Sequence, residues 1–258
     1  MKWTLSLLLC LALHATRCVA DGRNEVDPLD RVVCIESRVP SQPNTGKLCS
    51  AFIVDNESQL YLVTAGHAAA ETNADSRLRY RDQSGASQWV TLRSLIAPSK
   101  NPWHRDPTSD FAVAVAVIEA REGNQVYLDQ LASLSIPLST LCKMPPPRTT
   151  SIVTIGFPLG IGAGDDVSPL AVVGNVASRV TLADNSWGKE PILYCAPALA
   201  QGTSGGPTFT FSREDDSTTV VGMYVGVVND ATGAKLSKMV PAHLIRDCIS
   251  ELGIDEED

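Results

Sequence analysis

The sequence predicts an all-β fold, built as two small antiparallel barrels in tandem and finished by a short C-terminal helix. Three observations predict it. From Asp30 onward, short apolar stretches rich in Val, Ile, Thr and Tyr alternate with period two and are cut by turn residues. Sixteen prolines and 18 glycines are spread along the 258 residues, which implies many turns. Five strand candidates are separated from six more by a polar, proline-bearing stretch, the pattern of two barrels joined by a linker.

The first 20 residues stand outside that fold. Lys2 precedes an apolar run from Leu5 to Leu13, and Cys18, Val19 and Ala20 follow. This is the form of a secretory signal peptide cleaved after Ala20, so a secreted or periplasmic protein is expected. The run is shorter than the roughly 20 residues a spanning helix needs, and no later segment is apolar enough to span. Loss of Lys2 and Arg17 takes the net charge from −8 to −10. An acidic chain with no basic cluster is repelled by nucleic acid and anionic lipid, which argues against both as partners. Five cysteines remain: Cys34, Cys49, Cys142, Cys195 and Cys248. An exported chain can form disulfides, and Cys34 and Cys49, flanking one predicted hairpin, are the preferred pair. The odd count leaves at least one thiol unpaired within the chain. No two cysteines have metal-site spacing, and neither a metal nor a cofactor is expected.

The first barrel is expected over residues 21–125, with strands at 31–37, 48–55, 59–65, 88–96 and 110–118. A linker over 126–150 ends in "KMPPPRTT", where three prolines exclude a regular strand or helix. The second barrel is expected over 151–258, with strands at 151–157, 170–182, 191–197, 207–212, 218–228 and 235–240. Two helices are expected: a short turn after Gly66, and residues 241–253, which run from Pro241 to Gly253 with helical spacing.

Function is sought first in "AQGTSGGP" (200–207), where Ser204 stands among glycines. Read as G-x-S-x-G, it is the strand-to-helix elbow of an α/β-hydrolase. A serine nucleophile needs a base, usually histidine. Beyond the leader the chain has three: His67, His104 and His243. The elbow reading needs the order Ser, Asp, His, as in Ser204, Asp230 and His243. It fails because Gly205, Gly206 and Pro207 lead into a β-rich run where a helix is required, and because no α/β alternation lies upstream. His243 then reads as a plain helix residue, and His104, in "NPWHRDP", as a surface position. His67, at the end of the apolar strand in "LVTAGHAA", projects into a cleft.

Three stretches together resemble the trypsin-like serine peptidases: "LVTAGHAA" with His67, "PTSDFAVAVAV" with Asp110 and "AQGTSGGP" with Ser204. The resemblance runs from about residue 30 to the C-terminus and is nearest to the HtrA-like bacterial branch. "VTIGFPLG" (153–160), "VVGNVASRV", "VVGMYVGV" and "AKLSKMVPAHLIRDCI" resemble its later strands and terminal helix. It covers the protease domain only, without a PDZ domain. It implies two six-stranded antiparallel barrels of the chymotrypsin type, with the site in the cleft between them. By that resemblance Ser204 is the nucleophile, His67 the base, and Asp110 the residue that orients it. The amides of Gly202 and Ser204 form the oxyanion hole. Ala198 lies at the base of the primary specificity pocket, with Val225 and Val227 nearby, so small or apolar residues are expected before the cleaved bond. The substrate class is protein or peptide.

Two positions depart from the digestive branch. Thr203 replaces the aspartate that pairs with a freshly cut N-terminus, so activation of that kind is not expected. Val225 replaces a serine that hydrogen-bonds the triad aspartate. The rival reading, from another class, is a catalytically silent trypsin-like domain that binds proteins. Silent relatives usually lose a triad member, and here all three are present.

Overall fold

The structure, a computed structural model, describes residues 28–39, 42–97, 99, 102–105, 113–121, 123–185, 188–211 and 218–252. The expected leader and Asp110 lie outside the described residues.

The first sheet contains β1 (Val32–Val39), β2 (Gln42–Asn56), β3 (Gln59–Ala65), β4 (Arg77–Arg81), β5 (Ser87–Thr91), β6 (His104–Arg105), β7 (Val113–Ile118) and β8 (Ile136–Pro137). The order β5-β4-β1-β2-β3-β7 is antiparallel throughout; β6 adds to β7, and β8 pairs in parallel with β2. Beyond β5 the chain makes a 3-10 turn at Leu92–Ser94, and Ile96 then bridges to Ile118 of β7. Glu119 N–H donates to Leu95 O at 2.9 Å, so β5's continuation meets β7 and the six long strands close into a ring.

β4, "RLRYR", is a strand that aliphatic alternation does not reveal. Leu78 and Tyr80 are fully buried, while the arginines between them face outward. Arg79 Nε meets Glu36 Oε2 of β1 at 2.9 Å. The period of two is there, carried by cations on the outer face. The expected linker also carries more structure than its polarity suggests. A helix, α2 (Gln125–Leu134), buries Leu128, Leu131 and Leu134 against the first barrel's inner apolar cluster, with Leu78 and Tyr80. That i, i+3, i+6 spacing gives one apolar stripe on an otherwise polar helix.

The second sheet contains β9 (Ser151–Gly156), β10 (Leu170–Val176), β11 (Thr181–Asn185), β12 (Gly188–Ala196), β13 (Pro207–Phe211), β14 (Thr218–Asn229) and β15 (Lys235–Pro241). The order β10-β9-β13-β14-β15-β12 returns on itself, because β10 also pairs with β12 through Asn175–Ala196 and Val176–Cys195. Six strands therefore form a closed barrel, and β11 is an arm on β12. The single run expected at 170–182 is two strands. The fold is the mostly-β, two-barrel architecture of the chymotrypsin type, with few helices.

One apolar cluster spans both barrels, joining Phe52, Val63 and Val113 of the first to Ile155, Met223 and Val240 of the second. The C-terminal helix, α3 (Ala242–Leu252), adds Leu244, Ile245, Cys248 and Ile249 to it. The continuous core fixes the cleft-forming faces of the two barrels against each other.

The expected Cys34–Cys49 disulfide is not formed; both residues, like Cys142, Cys195 and Cys248, are reduced thiols. Cys34 stands opposite Ser50 and Cys49 opposite Ile35 in the β1–β2 ladder. Since Ser50 and Cys49 are neighbours, the two thiols belong to opposite faces of the sheet. Burial pushes the Cys49 thiol up to about 12, so neither its geometry nor its ionisation favours pairing.

Candidate active site

β3 is buried from Leu60 to Ala65, and the chain then turns into a one-turn helix, α1 (Gly66–Ala69), with Gly66 and Ala68 also buried. His67 is the first exposed residue after that run. Although exposed, its imidazole is desolvated by surrounding protein, which holds its pKa below the ordinary 6.5. Glu71 opposes this shift and Lys238 adds to it. The neutral ring that results at pH 7 is the form able to accept a proton.

Ser204 lies in the loop between β12 and β13, half-buried. It shares with His67 a cavity of about 630 Å³, lined also by Lys47, Leu48, Cys49 and Gly202. No hydrogen bond joins the side chains of Ser204 and His67 among the described residues. Asp110 lies outside them; β3 and β7 are paired as far as Ala65 opposite Val113.

Gly202 and Gly205 have φ of +93° and +88°, where a side chain is strained. A Cβ at Gly202 would lie 2.3 Å from Phe157 O, and one at Gly205 2.0 Å from Ser50 O. Only glycine lets this loop seat against β2 and the end of β9. The amides of Gly202 and Ser204 donate to no acceptor among the described residues. Their preceding carbonyls, by contrast, are held: Gln201 O accepts from Leu159 N–H at 2.6 Å, and Thr203 O from Gly206 N–H at 2.8 Å. In a trans peptide the carbonyl and the following N–H point in opposite directions. Holding each carbonyl therefore turns the next amide away from that carbonyl's donor, Leu159 in one case and Gly206 in the other. An amide with no acceptor among the described residues is free to donate to an anion that forms next to Ser204 Oγ.

Thr203 is buried, and its hydroxyl has no hydrogen-bond partner among the described residues. Val225 is buried in the core cluster with Ala65 and Val113. Ala198 is half-buried and Val227 exposed, and neither they nor Val225 line the cavity at Ser204. Beneath the loop lies Tyr224, which sequence reasoning did not single out. Its N–H donates to Gly206 O and its C=O accepts from Gly205 N–H, at 2.9 and 2.8 Å. Its hydroxyl donates to Leu199 O at 3.0 Å, and burial raises its pKa to about 12. Lys47 and Glu71, an ion pair at 2.6 Å on the cavity wall, were likewise not anticipated. His104, on β6, and His243, on α3, do not line this cavity. Among the described residues no cluster of His, Cys, Asp or Glu is arranged to hold a metal, and no helix is long and apolar enough to cross a membrane.

The family model described as "Trypsin-like peptidase domain" matches residues 49–223, the span that contains His67, Asp110 and Ser204. No curated protein matches the chain. Among solved structures it is similar to the MamO protease domain from Magnetospirillum magneticum, at 16% identity and a TM-score of 0.56, over 86% of this chain and 95% of that one. It is similar to the Rv3671c protease from M. tuberculosis in its active form, at 17% identity and a TM-score of 0.58, over 88% and 82%. It also resembles a variant of the HtrA-type protease AlgW with a tripeptide, at 16% identity and a TM-score of 0.55, over 91% and 64%. The structural likenesses concern the fold, and the family match covers more than half of the sequence. The chain belongs to the trypsin-like peptidase domain family.

Proposed function

We propose that this protein is an exported serine endopeptidase working through an acyl-enzyme. The observation that carries the reading is Ser204 and His67 on one cavity, beside two amides with no acceptor among the described residues. His67 takes the proton of Ser204 Oγ as the oxygen attacks the scissile carbonyl, whose oxygen becomes an anion facing the amides of Gly202 and Ser204. His67 then gives that proton to the leaving amine. Water, deprotonated by the same imidazole, releases the acyl group and restores Ser204. Asp110 is the residue assigned to hold the imidazole and stabilise its cation. The lowered pKa of His67 supports its role as a base at neutral pH.

The residue before the cleaved bond is proposed to be small or apolar. Ala198 offers no acid to a Lys or Arg side chain, and the next residue, Leu199, accepts a hydrogen bond from the buried, uncharged Tyr224. Export rests on the leader at residues 1–20, and N-terminal sequencing of the exported protein should begin at Asp21.

One feature favours the alternative of a silent, protein-binding domain: the apolar Val225 in place of a hydroxyl near the triad. Labelling with a fluorophosphonate probe decides between them. Wild type is expected to label at a single site, and Ser204→Ala not at all. A folded wild type that stays unlabelled removes the enzyme reading and leaves the binding domain.

A further inference from the structure

Ser50 sits on β2, fully buried, and all of its polar atoms are engaged. Its N–H donates to Ser204 O at 2.9 Å, and its C=O accepts from Thr64 Oγ1 at 2.8 Å. Its hydroxyl donates to Gly202 O at 2.8 Å and accepts from Phe157 N–H at 3.0 Å. The direction of that pair is forced. A hydroxyl has one proton, Phe157 N–H can only donate, and so the proton must lie on the bond to Gly202 O.

One residue of the first barrel thus holds three separate pieces of the second. It grips the carbonyl of the nucleophile, the carbonyl of the oxyanion glycine, and the amide of Phe157, the residue that follows β9. The third grip matters because Leu159, two residues past Phe157, is the donor that holds Gln201 O. The Gln201–Gly202 and Gly202–Thr203 peptides are therefore pinned by neighbouring groups that meet at Ser50. Gly202 is the one residue between them, and a glycine at φ +93° has many other conformations open to it. Nothing in its own chemistry keeps the amide aimed at the cleft.

We infer that Ser50 is a positioning residue for the oxyanion site: its hydroxyl latches the Gly202 loop to β9, so that the two amides converge before substrate arrives. The inference rests on the endopeptidase reading and adds to it a built-in latch in place of the ion pair to a new N-terminus, which Thr203 cannot make. Removing the hydroxyl strands a buried carbonyl and a buried amide, and the loop recovers those bonds only by turning away from the cleft.

The test compares wild type, Ser50→Ala and Ser50→Cys, each with its active sites titrated by the fluorophosphonate. Rates are expressed per titrated site, which removes any loss due to misfolded protein. For Ser50→Ala, kcat should fall about 10- to 100-fold with KM within about twofold, the mark of an interaction felt in the transition state. The Ki of a peptidyl trifluoromethyl ketone, whose hemiketal oxyanion occupies the same site, should rise by a similar factor. A residue that only supports the fold would lower the melting temperature and the titrated fraction while leaving kcat per site and Ki unchanged, and that result overturns the inference. Should Ser50→Ala not fold, Ser50→Cys keeps the volume with a weaker donor and is read the same way. Wild type that fails to label removes the endopeptidase reading and this latch with it, whereas labelled wild type with an unimpaired variant removes the latch alone.

Discussion

His67 leaves the end of β3 into a four-residue helix, while Ser204 sits towards the end of the loop between β12 and β13. The backbone near His67 is held by its own neighbourhood: Ala70 N–H donates to Gly66 O at 3.0 Å, and β3 is laddered to β2 and β7. The loop around Ser204 is held mostly from afar. Its carbonyls at 201, 202 and 204 accept from Leu159 and Ser50, and its amide at 205 donates to Tyr224. A base carried by local structure tolerates change around it. A nucleophile carried by tertiary hydrogen bonds is vulnerable at positions far away in sequence.

The sharpest way to break this contrast is a backbone change in each arm. Gly205→Ala puts a Cβ at φ +88° within 2.0 Å of Ser50 O and 2.3 Å of Thr64 Oγ1, neither of which can move freely. Stability should drop by about 2 kcal/mol or more, and kcat per titrated site by about 100-fold or more, since the oxyanion amides shift with the loop. Ala70→Gly, at the exposed residue that caps α1 with φ −62°, should cost at most about 1 kcal/mol and leave kcat within a few-fold. Thermal melts and titrated kinetics report both. If the two variants lose activity equally, the base arm depends on its surroundings as much as the nucleophile arm does.

A smaller effect should separate chemistry from specificity within the nucleophile arm. Tyr224→Ala empties space beneath the loop, costing about 3 kcal/mol. In a peptide library, it should raise kcat/KM for Leu or Met before the cleaved bond, relative to Ala, by about tenfold. Tyr224→Phe loses only the bond to Leu199 O, about 1 kcal/mol, and should keep the wild-type profile. An unchanged profile in Tyr224→Ala would mean that the ring does not limit substrate size.

The same division between local and distant causes decides what can be read in the sequence. Strands with aliphatic alternation, such as "QLYLVTA", are legible because burial and period are both local. β4 escapes because its outward positions are arginines, and α2 because three leucines among polar residues look like linker. Ser204, Gly202 and His67 can be singled out because glycine-rich turns and strand ends leave a local mark. Ser50, Leu159 and Tyr224 leave none: Ser50 acquires its role from Phe157 and Gly202, more than 100 positions along the chain. The cysteines illustrate the opposite error. Cys34 and Cys49 look like a pair on a hairpin, and one residue of register puts them on opposite faces.

The base arm should announce itself through pH. With the folded pKa of His67 below 6.5, the acidic limb of kcat/KM should have its midpoint below 6.5 as well. Glu71 favours the cation, so Glu71→Gln should move the limb further down; Lys238 disfavours it, so Lys238→Met should move the limb up. For charges open to solvent each step should be about a few tenths of a pH unit. Stability carries the matching sign. The unfolded chain binds a proton at His67 more readily than the folded one, so stability falls as pH drops below 6.5 and levels off beneath the folded pKa. His67→Gln should remove that dependence, whereas Ser204→Ala, in the arm held by uncharged hydrogen bonds, should leave it intact. A limb at or above 6.5, or two charge variants that move it the same way, would mean that another group governs the limb and that His67 is not titrating as the free base.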